Sequence, residues 1–143
     1  MEQSAEALST IPARMNEGWN DGDATAFTAD FADDIVLVDF EGTVHHGRAA
    51  VVAFNQPVFD TVLKGSRMVR SEVPFTRIVR PGEAVVHHRV TLVMPGEDEQ
   101  RSSRRFMQLL VLVWQNDRWE VVTLQNARLI PLETAMALDA AAG

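Results

Sequence analysis

The sequence predicts an α+β fold in which a strongly curved, mostly antiparallel sheet packs against three helices. Helical spacing dominates the first part of the chain, where Leu8, Ile11, Met15 and Trp19 recur at steps of three and four. From Arg67 onward the pattern changes to long strands separated by turns. Helices interleaved with a short hairpin and followed by a run of strands indicate α+β organisation rather than a βαβ alternation. A strongly curved sheet wrapped over helices can enclose a deep pocket.

The first two helices lie close together near the start of the chain. Pro12 fits best in the first turn of helix one, with Ser9 or Thr10 as its N-cap. If residues 4–8 are also helical, a kink is expected near the proline. Asp23 caps a short second helix, because an aspartate there can accept a hydrogen bond from the first turn.

The third helix and the strands follow the same rules. The third helix covers 48–63, and Pro57 within it predicts a bend or an early end. Asn116 and Asp117 form the turn of the last hairpin. Pro74 marks an edge or a bulge in a long strand. Six strands are predicted, at 34–40, 43–46, 67–79, 84–94, 103–115 and 119–129.

Length and composition predict one domain over residues 1–143, with a core of about 8–130 and a tail at 131–143 that is a short helix or frayed. The net charge of −7 argues against a nucleic-acid surface and against an anionic membrane as partner. The chain has no cysteine, which excludes a disulfide frame, a thiolate metal site and a cysteine nucleophile. The polar, acidic N-terminus is no signal peptide, and the longest apolar run, 109–114, is too short to span a bilayer. A cytoplasmic location is therefore expected.

The order of several short motifs resembles the nuclear-transport-factor-two-like superfamily over about residues 8–130. The front half carries Trp19–Asp23, Phe27, Phe31–Asp34, Asp39 and Gly47–Arg48. The closing hairpin carries Asn116–Val121 and Gln125–Asn126. Within the superfamily the chain is most similar to the SgcJ/EcaC group, through Ile11–Arg14, Leu63–Arg67, Met94–Glu97 and Gln125–Asn126.

This resemblance implies a cone-shaped, cystatin-like α+β barrel around one pocket, commonly dimeric. The superfamily includes SnoaL-like polyketide cyclases, ketosteroid isomerase, scytalone dehydratase and limonene epoxide hydrolase, and also non-catalytic binders, so the fold alone does not decide the function. The SgcJ/EcaC group implies a role in polyketide biosynthesis of the enediyne type.

Asp39 is the first candidate catalytic residue. It follows the aliphatic residues Ile35–Val38, at the end of an apolar strand. It also matches the position of the general base in ketosteroid isomerase. An apolar cavity would raise the pKa of this carboxyl toward the working pH and make it a usable base. The alternative is a turn aspartate that caps the backbone of the following residues.

His88 is the second candidate. Strict alternation places it on the same face as Val86, Val90 and Leu92, a face that is otherwise apolar and therefore inward. There it could donate to a carbonyl oxygen or relay a proton, and the alternative is a core histidine whose hydrogen bonds are satisfied. The phenol donor of ketosteroid isomerase falls at Met15, and the position of its acidic partner falls within 110–112, which carries no acid. The oxyanion hole of that enzyme is therefore absent.

A ligand pocket is expected to combine these groups with apolar walls. Asn126 shares the inner face of the last strand with Leu124, and its amide would bind a ligand carbonyl, contact Asp39 or tie the strand end to its own backbone. An apolar stripe of this kind otherwise belongs to the core. The predicted ligand-binding set is Met15, Trp19, Phe54, Phe59, Val90, Leu92 and Asn126.

No metal or cofactor is predicted. The two adjacent histidine pairs, His45–His46 and His87–His88, cannot chelate one ion as pairs, because neighbouring side chains on a strand point to opposite faces. There is no glycine-rich phosphate loop and no nucleophile elbow. The basic cluster Arg101, Arg104 and Arg105 is a solvated strand end or a grip for an acidic carrier protein.

Together with the candidate residues, the resemblance implies a small enzyme or enzyme-like accessory that performs cofactor-free acid/base chemistry, namely cyclisation, isomerisation or dehydration, on a hydrophobic polyketide- or polyene-like molecule. The alternative is a non-catalytic module that binds such a ligand and assists a polyketide synthase. A homodimer is expected through the outer face of the long strands, where alternation leaves an aliphatic patch uncovered. That patch comprises Val111, Val113, Val121 and Thr123.

Overall fold

A computed structural model of the protein describes residues 4–143. Four helices are present: α1 (Ala5–Asn20), α2 (Ala24–Phe27), α3 (Arg48–Asp60) and α4 (Leu132–Ala142). Six strands are present: β1 (Phe31–Val38), β2 (Val44–His46), β3 (Arg67–Arg80), β4 (Glu83–Val93), β5 (Arg105–Gln115) and β6 (Arg118–Arg128). None of the helices described over residues 4–143 is long and apolar enough to cross a membrane.

The six strands form one curved sheet in the order β2-β1-β6-β5-β4-β3. All neighbouring strands are antiparallel except β1 and β6, which are parallel. Helix α1 packs along β3, and α3 packs against β1 and β2. The predicted α+β class with a curved, mostly antiparallel sheet is therefore confirmed, and the tail adds a fourth helix to the three expected.

Helix boundaries differ from the prediction where a proline is involved. Helix α1 begins at Ala5, one turn before the proposed caps, because the Ser4 hydroxyl accepts a hydrogen bond from the Ala7 N–H at 3.2 Å. Pro12 therefore lies inside the helix. The Asp23 cap of α2 is present, with its side chain accepting from the Ala26 N–H at 3.0 Å. Helix α3 ends at Asp60, one turn after Pro57.

One departure from strict alternation is an irregularity in the β5–β6 ladder. Val111 pairs with Thr123, but Leu112 pairs with Val121, so one extra residue of β6 is accommodated between these pairs. As a result both Val121 and Leu124 are buried. The prediction that Val121 belongs to the outer aliphatic patch is therefore wrong.

Helix α1 and the end of α2 are in very close contact at Gly18. A β-carbon placed on this glycine would lie 2.2 Å from the Phe27 nitrogen, so only glycine fits. The close approach brings Trp19 into edge contact with Phe27 and Phe59, with ring centroids 5.6 Å and 4.7 Å apart. These aromatic side chains form one end of the core beside the cavity described below.

Candidate functional site

The concave side of the sheet and the helices enclose a cavity of about 340 Å³. Most of its wall is apolar, which is typical of a site for a small hydrophobic molecule. Its polar residues come from the β1–β2 hairpin, from α3 and from the centre of the sheet. The lining comprises Trp19, Phe27, Leu37, Asp39, Phe40, Glu41, His45, Phe54, Asn55, Val58, Val62, Leu63, Met68, Gln108, Leu124 and Asn126.

Asp39 lies in the turn between β1 and β2 and makes three hydrogen bonds. Its Oδ1 accepts from the backbone N–H groups of Glu41 and Thr43, both at 3.0 Å. Its Oδ2 lies 2.9 Å from His45 Nε2. The His45 ring packs against Phe54 with centroids 4.6 Å apart, so the imidazole is held between an acid and an aromatic wall. Asp39 and His45 together form the acid–histidine pair of the site.

The expected rise in the pKa of Asp39 is not found. Partial burial of the carboxyl acts to raise its pKa, but the hydrogen bonds from His45, Thr43 and Glu41 outweigh burial. The pKa of Asp39 therefore lies below its ordinary value, and the carboxyl is ionised at neutral pH. The backbone N–H groups that the Asp39 carboxylate caps also stabilise its negative charge. Asp39 therefore makes the hydrogen bonds of a turn cap, as the alternative interpretation expected.

The polar residues of the sheet form a row across neighbouring strands. Val38 pairs with Gln125 in the parallel ladder, which places the next residues, Asp39 and Asn126, side by side. Asn126 pairs with Gln108 on β5, and Gln108 pairs with His88 on β4. This row crosses a concave face that is otherwise apolar, and we call it the polar row: Asp39, Asn126, Gln108 and His88.

Asn126 has an unsatisfied hydrogen-bonding group. Its Oδ1 is buried and has no partner among residues 4–143. A buried acceptor without a partner costs about 1–3 kcal/mol. Because Asn126 lines the cavity, a ligand that donates a hydrogen bond to its Oδ1 would remove this cost.

Asn126→Leu is therefore expected to stabilise the protein in the absence of ligand. Removing an unsatisfied buried amide should raise the free energy of unfolding by about 1 kcal/mol. A thermal melt should show the midpoint rising by roughly 3 °C, the usual scale for a domain of this size. Gln125→Leu is the matched control, because Gln125 is exposed and should give no gain. A midpoint for Asn126→Leu below that of the control would contradict the expectation.

His88 is wholly buried and does not line the cavity. Its Nδ1 donates to Gln108 Oε1 at 2.7 Å, because a carbonyl oxygen can only accept. Its Nε2 accepts from the Ser71 hydroxyl at 2.6 Å. Both ring nitrogens are thus satisfied, as in the core-histidine alternative, and His88 cannot touch a ligand that Asp39 also touches. The inward alternation of Val86, His88 and Val90 is as expected.

His88 should make the stability of the protein sensitive to mild acid. Burial lowers the pKa of His88 more than the Gln108 hydrogen bond raises it, so the folded protein keeps the ring neutral. The unfolded chain takes up a proton near pH 6.5, and the free energy of unfolding should fall as the pH drops below that value.

In His88→Asn this part of the pH dependence should disappear, because asparagine does not titrate. Urea unfolding between about pH 7.5 and 5 measures the difference, since that range spans the unperturbed pKa of histidine. Equal slopes for the variant and the wild type would exclude His88 as the source.

The remaining predicted ligand-binding residues separate into two groups. Trp19, Phe54 and Asn126 line the cavity. The others are buried in the core outside its lining: Met15, Phe59, Val90 and Leu92. The side chains of these four residues pack in the hydrophobic core.

Two functional residues were not singled out from the sequence. His45 was considered only as a metal ligand, and its partnership with Asp39 depends on the hairpin geometry. Gln108 is three residues before Val111, which was predicted to face outward, so alternation alone would have placed the Gln108 side chain inward.

Among residues 4–143 no group of three histidine, aspartate or glutamate side chains could hold a metal ion. Arg104 is paired with Glu97 at 2.6 Å, and Arg101 lies 3.8 Å from Asp98. These arginines stand at the surface beside the start of β5, and neither of them lines the cavity.

The fold and the cavity together define a small cone-shaped α+β pocket protein. A model of the SnoaL-like domain matches residues 13–122, and the chain belongs to this family. Membership and the largely apolar cavity fit a small-molecule-binding role. None of the functionally curated proteins compared with the chain matches it.

Solved structures agree with this assignment. The chain is similar to a domain of unknown function with a cystatin-like fold from Nostoc punctiforme, at 31% identity and a TM-score of 0.89, over 98% of this chain and 86% of that one. It also shares its fold with a ketosteroid isomerase-like protein from Erwinia carotovora atroseptica, at 15% identity and a TM-score of 0.71. That alignment covers 92% of this chain and 100% of the Erwinia chain.

Proposed function

We propose that the protein is a cofactor-free acid/base catalyst that isomerises, cyclises or dehydrates a hydrophobic carbonyl compound. The observation that carries this proposal is the contact between Asp39 and His45 at one end of an apolar cavity. A histidine oriented by an ionised carboxylate is a common arrangement for moving a proton at neutral pH.

In this proposal His45 transfers the proton, and Asp39 orients the imidazole ring of His45. Because Asp39 is ionised, its Oδ2 accepts the Nε2–H of His45 and leaves the lone pair on Nδ1. His45 Nδ1 has no hydrogen-bond partner within residues 4–143 and is free to act as base. It takes a proton from the carbon next to a ligand carbonyl, and the electron pair moves to the carbonyl oxygen as an enolate. Return of the proton to a different carbon completes an isomerisation.

The substrate class in this proposal is a polyketide- or polyene-like intermediate, as the resemblance to the SgcJ/EcaC group implies. Enediyne-type biosynthesis in the cytoplasm is the setting that this group suggests. A synthase or its acidic carrier protein is the proposed macromolecular partner, with exposed Arg101 and Arg105 as the basic groups that it would contact.

A non-catalytic ligand-binding module is the second candidate, and one observation favours it. The hydrogen bonds that lower the pKa of Asp39 make this carboxylate a weaker base than the isomerase comparison implies. In this alternative the pair holds the turn and the polar end of a ligand, and no proton is transferred to carbon.

Deuterium exchange separates the two candidates without knowledge of the natural substrate. The α-protons of 1-tetralone exchange with D₂O through an enolate, and ¹H NMR follows their loss. A catalyst should accelerate this exchange above that of buffer alone at the same pH. Saturable binding of 1-tetralone with exchange at the buffer rate would establish the binding-module alternative.

We further propose that the protein is a homodimer through the outer face of β4, β5 and β6. With Val121 buried, the supporting patch contains Val111, Val113 and Thr123, which are only half-buried in the protomer. Helix α4 buries none of its residues and offers further apolar surface. Light scattering at micromolar concentration should therefore give about twice the chain mass of 15.9 kDa, and a value of one chain mass would exclude the dimer.

A further inference from the structure

The amide oxygen of Gln108 is hydrogen-bonded to His88, a residue that does not line the cavity. Gln108 is itself buried and lines the cavity from the centre of the sheet. Its Oε1 is occupied by the Nδ1–H of His88, and Nε2 of that ring is occupied by Ser71. Because the amide oxygen points to His88, the NH₂ group is left for the cavity. This NH₂ forms no hydrogen bond within residues 4–143.

Asn126 adds a second free amide next to Gln108. The two residues are direct partners across the β5–β6 ladder, so their side chains stand side by side on the concave face. The buried Oδ1 of Asn126 has no partner. A half-turn of this amide about χ2 exchanges its oxygen and its NH₂, and a hydroxyl can serve either group because it both donates and accepts.

We propose that Gln108 and Asn126 form a paired amide site for a hydrophobic hydroxy-ketone, and that His88 is the positioning residue that presents the Gln108 NH₂ to the ketone oxygen. Gln108 Nε2 donates to the carbonyl oxygen, and Asn126 hydrogen-bonds the hydroxyl. This site gives a substrate class for the proposed function. It rests on that function only because both use the same cavity.

The same geometry supplies stabilisation where the proposed chemistry needs it. Removal of an α-proton places negative charge on the carbonyl oxygen, and a preorganised N–H donor stabilises that charge. In the polar row, Asn126 lies between Asp39 and Gln108, so the proposed oxygen donor and the acid–histidine pair belong to the same cavity wall. In this proposal the amides stabilise the negative charge on the carbonyl oxygen, as a phenol and an acid do in ketosteroid isomerase. The residues and their positions are different.

Equilibrium binding of four matched compounds tests the site independently of turnover. 4-Hydroxy-1-tetralone carries both the ketone and the hydroxyl group. 1-Tetralone carries only the ketone, 1-tetralol carries only the hydroxyl, and tetralin carries neither. Calorimetric titration up to about 5 mM suits ligands of this size, whose affinities are millimolar. The hydroxy-ketone should bind most tightly, and each missing group should weaken binding by about three- to tenfold, the scale of one hydrogen bond.

Variants assign each preference to a residue. Gln108→Glu keeps an acceptor for His88 but has no NH₂, so the preference for 1-tetralone over tetralin should vanish. Asn126→Leu should remove only the preference for the hydroxyl. In wild type, the side-chain NH₂ resonance that is lost in Gln108→Glu should shift with 1-tetralone and not with tetralin.

His88 is tested by rescue. His88→Leu frees the Gln108 amide to rotate and should abolish the ketone preference, whereas His88→Asn keeps an N–H at the position of Nδ1 and should retain it. The ratio of the two affinities is compared, because general damage to the cavity weakens both ligands alike. If His88→Leu does not fold, Gln108→Glu and the NH₂ resonance still decide.

The outcomes separate this site from the proposed function. Equal affinity for tetralin and 1-tetralone in the wild type would overturn the amide site while leaving a catalytic pocket in place. Retention of the ketone preference in Gln108→Glu would overturn the role of Gln108. Loss of the preference in His88→Asn as complete as in His88→Leu would overturn the positioning role. Failure of all four compounds to bind would overturn the amide site and the hydrophobic pocket together.

Discussion

Asp39→Asn should reduce the exchange of 1-tetralone protons by about a hundredfold or more, the usual scale for loss of a general base. The new side chain can still accept the N–H groups of Glu41 and Thr43 through Oδ1. Its NH₂, however, would donate to His45 Nε2 and drive the ring proton to Nδ1. The base would then be lost through the wrong tautomer, although the geometry is kept. The thermal midpoint should change little, because at most about 1 kcal/mol is at stake in a turn cap of this kind.

Asp34→Asn is the matched control for this variant. Asp34 is an exposed carboxylate on β1, the strand that precedes Asp39, so the charge change is identical and the site is untouched. Exchange in the control should equal that of the wild type. If Asp39→Asn also exchanges at the wild-type rate, proton transfer by this pair is excluded and the binding-module alternative stands.

Gly18→Ala should be severely destabilising, although helix propensity predicts the opposite sign. Alanine in the middle of a helix is favoured over glycine by about 1 kcal/mol. Here the added methyl group would overlap the backbone of Phe27 at 2.2 Å, and backbone cannot move aside as a side chain can. A loss of about 3 kcal/mol is expected, at the upper end for overpacking. The midpoint of a thermal melt should fall by roughly 10 °C.

Gly22→Ala provides the comparison. Gly22 has a φ of +65° and open space around its Cα, so its substitution costs conformational strain alone. That cost is about 1–2 kcal/mol. A midpoint for Gly18→Ala equal to or above that for Gly22→Ala would mean that the contact between α1 and α2 relaxes at no greater cost than the strain at Gly22, and would contradict the expectation.

The fold could be predicted because its signals are local and repeated. Leu8, Ile11 and Met15 mark the buried face of α1, and alternation in β4 places Val86 and Val90 inward. Each such pattern is carried by several residues, so one exception does not change the interpretation. The irregularity in the β5–β6 ladder near Leu112 could not be predicted in this way. One extra residue in β6 reverses the direction of Val121, and no residue type at that place indicates it.

The candidate site was predictable only in part, for a related reason. Asp39, Trp19, Phe54 and Asn126 could be placed on the cavity wall from position along their elements. What each group does depends on partners from elsewhere in the chain. The pKa of Asp39 is set by His45 and two backbone N–H groups, so desolvation alone gave the wrong direction.

The position of β6 in the sheet has a consequence for how the cavity comes into existence. This strand is the last of the six along the described chain, yet it lies between β1 and β5. Until it inserts, Asn126 lies beside neither Asp39 nor Gln108, and the apolar sides of β1 and β5 are open to water. Pairing of β1 with β6 joins segments far apart in sequence, and such contacts are formed late because loop closure is costly. A ligand that bridges these strands would therefore stabilise the final step of folding, since it binds only the closed sheet.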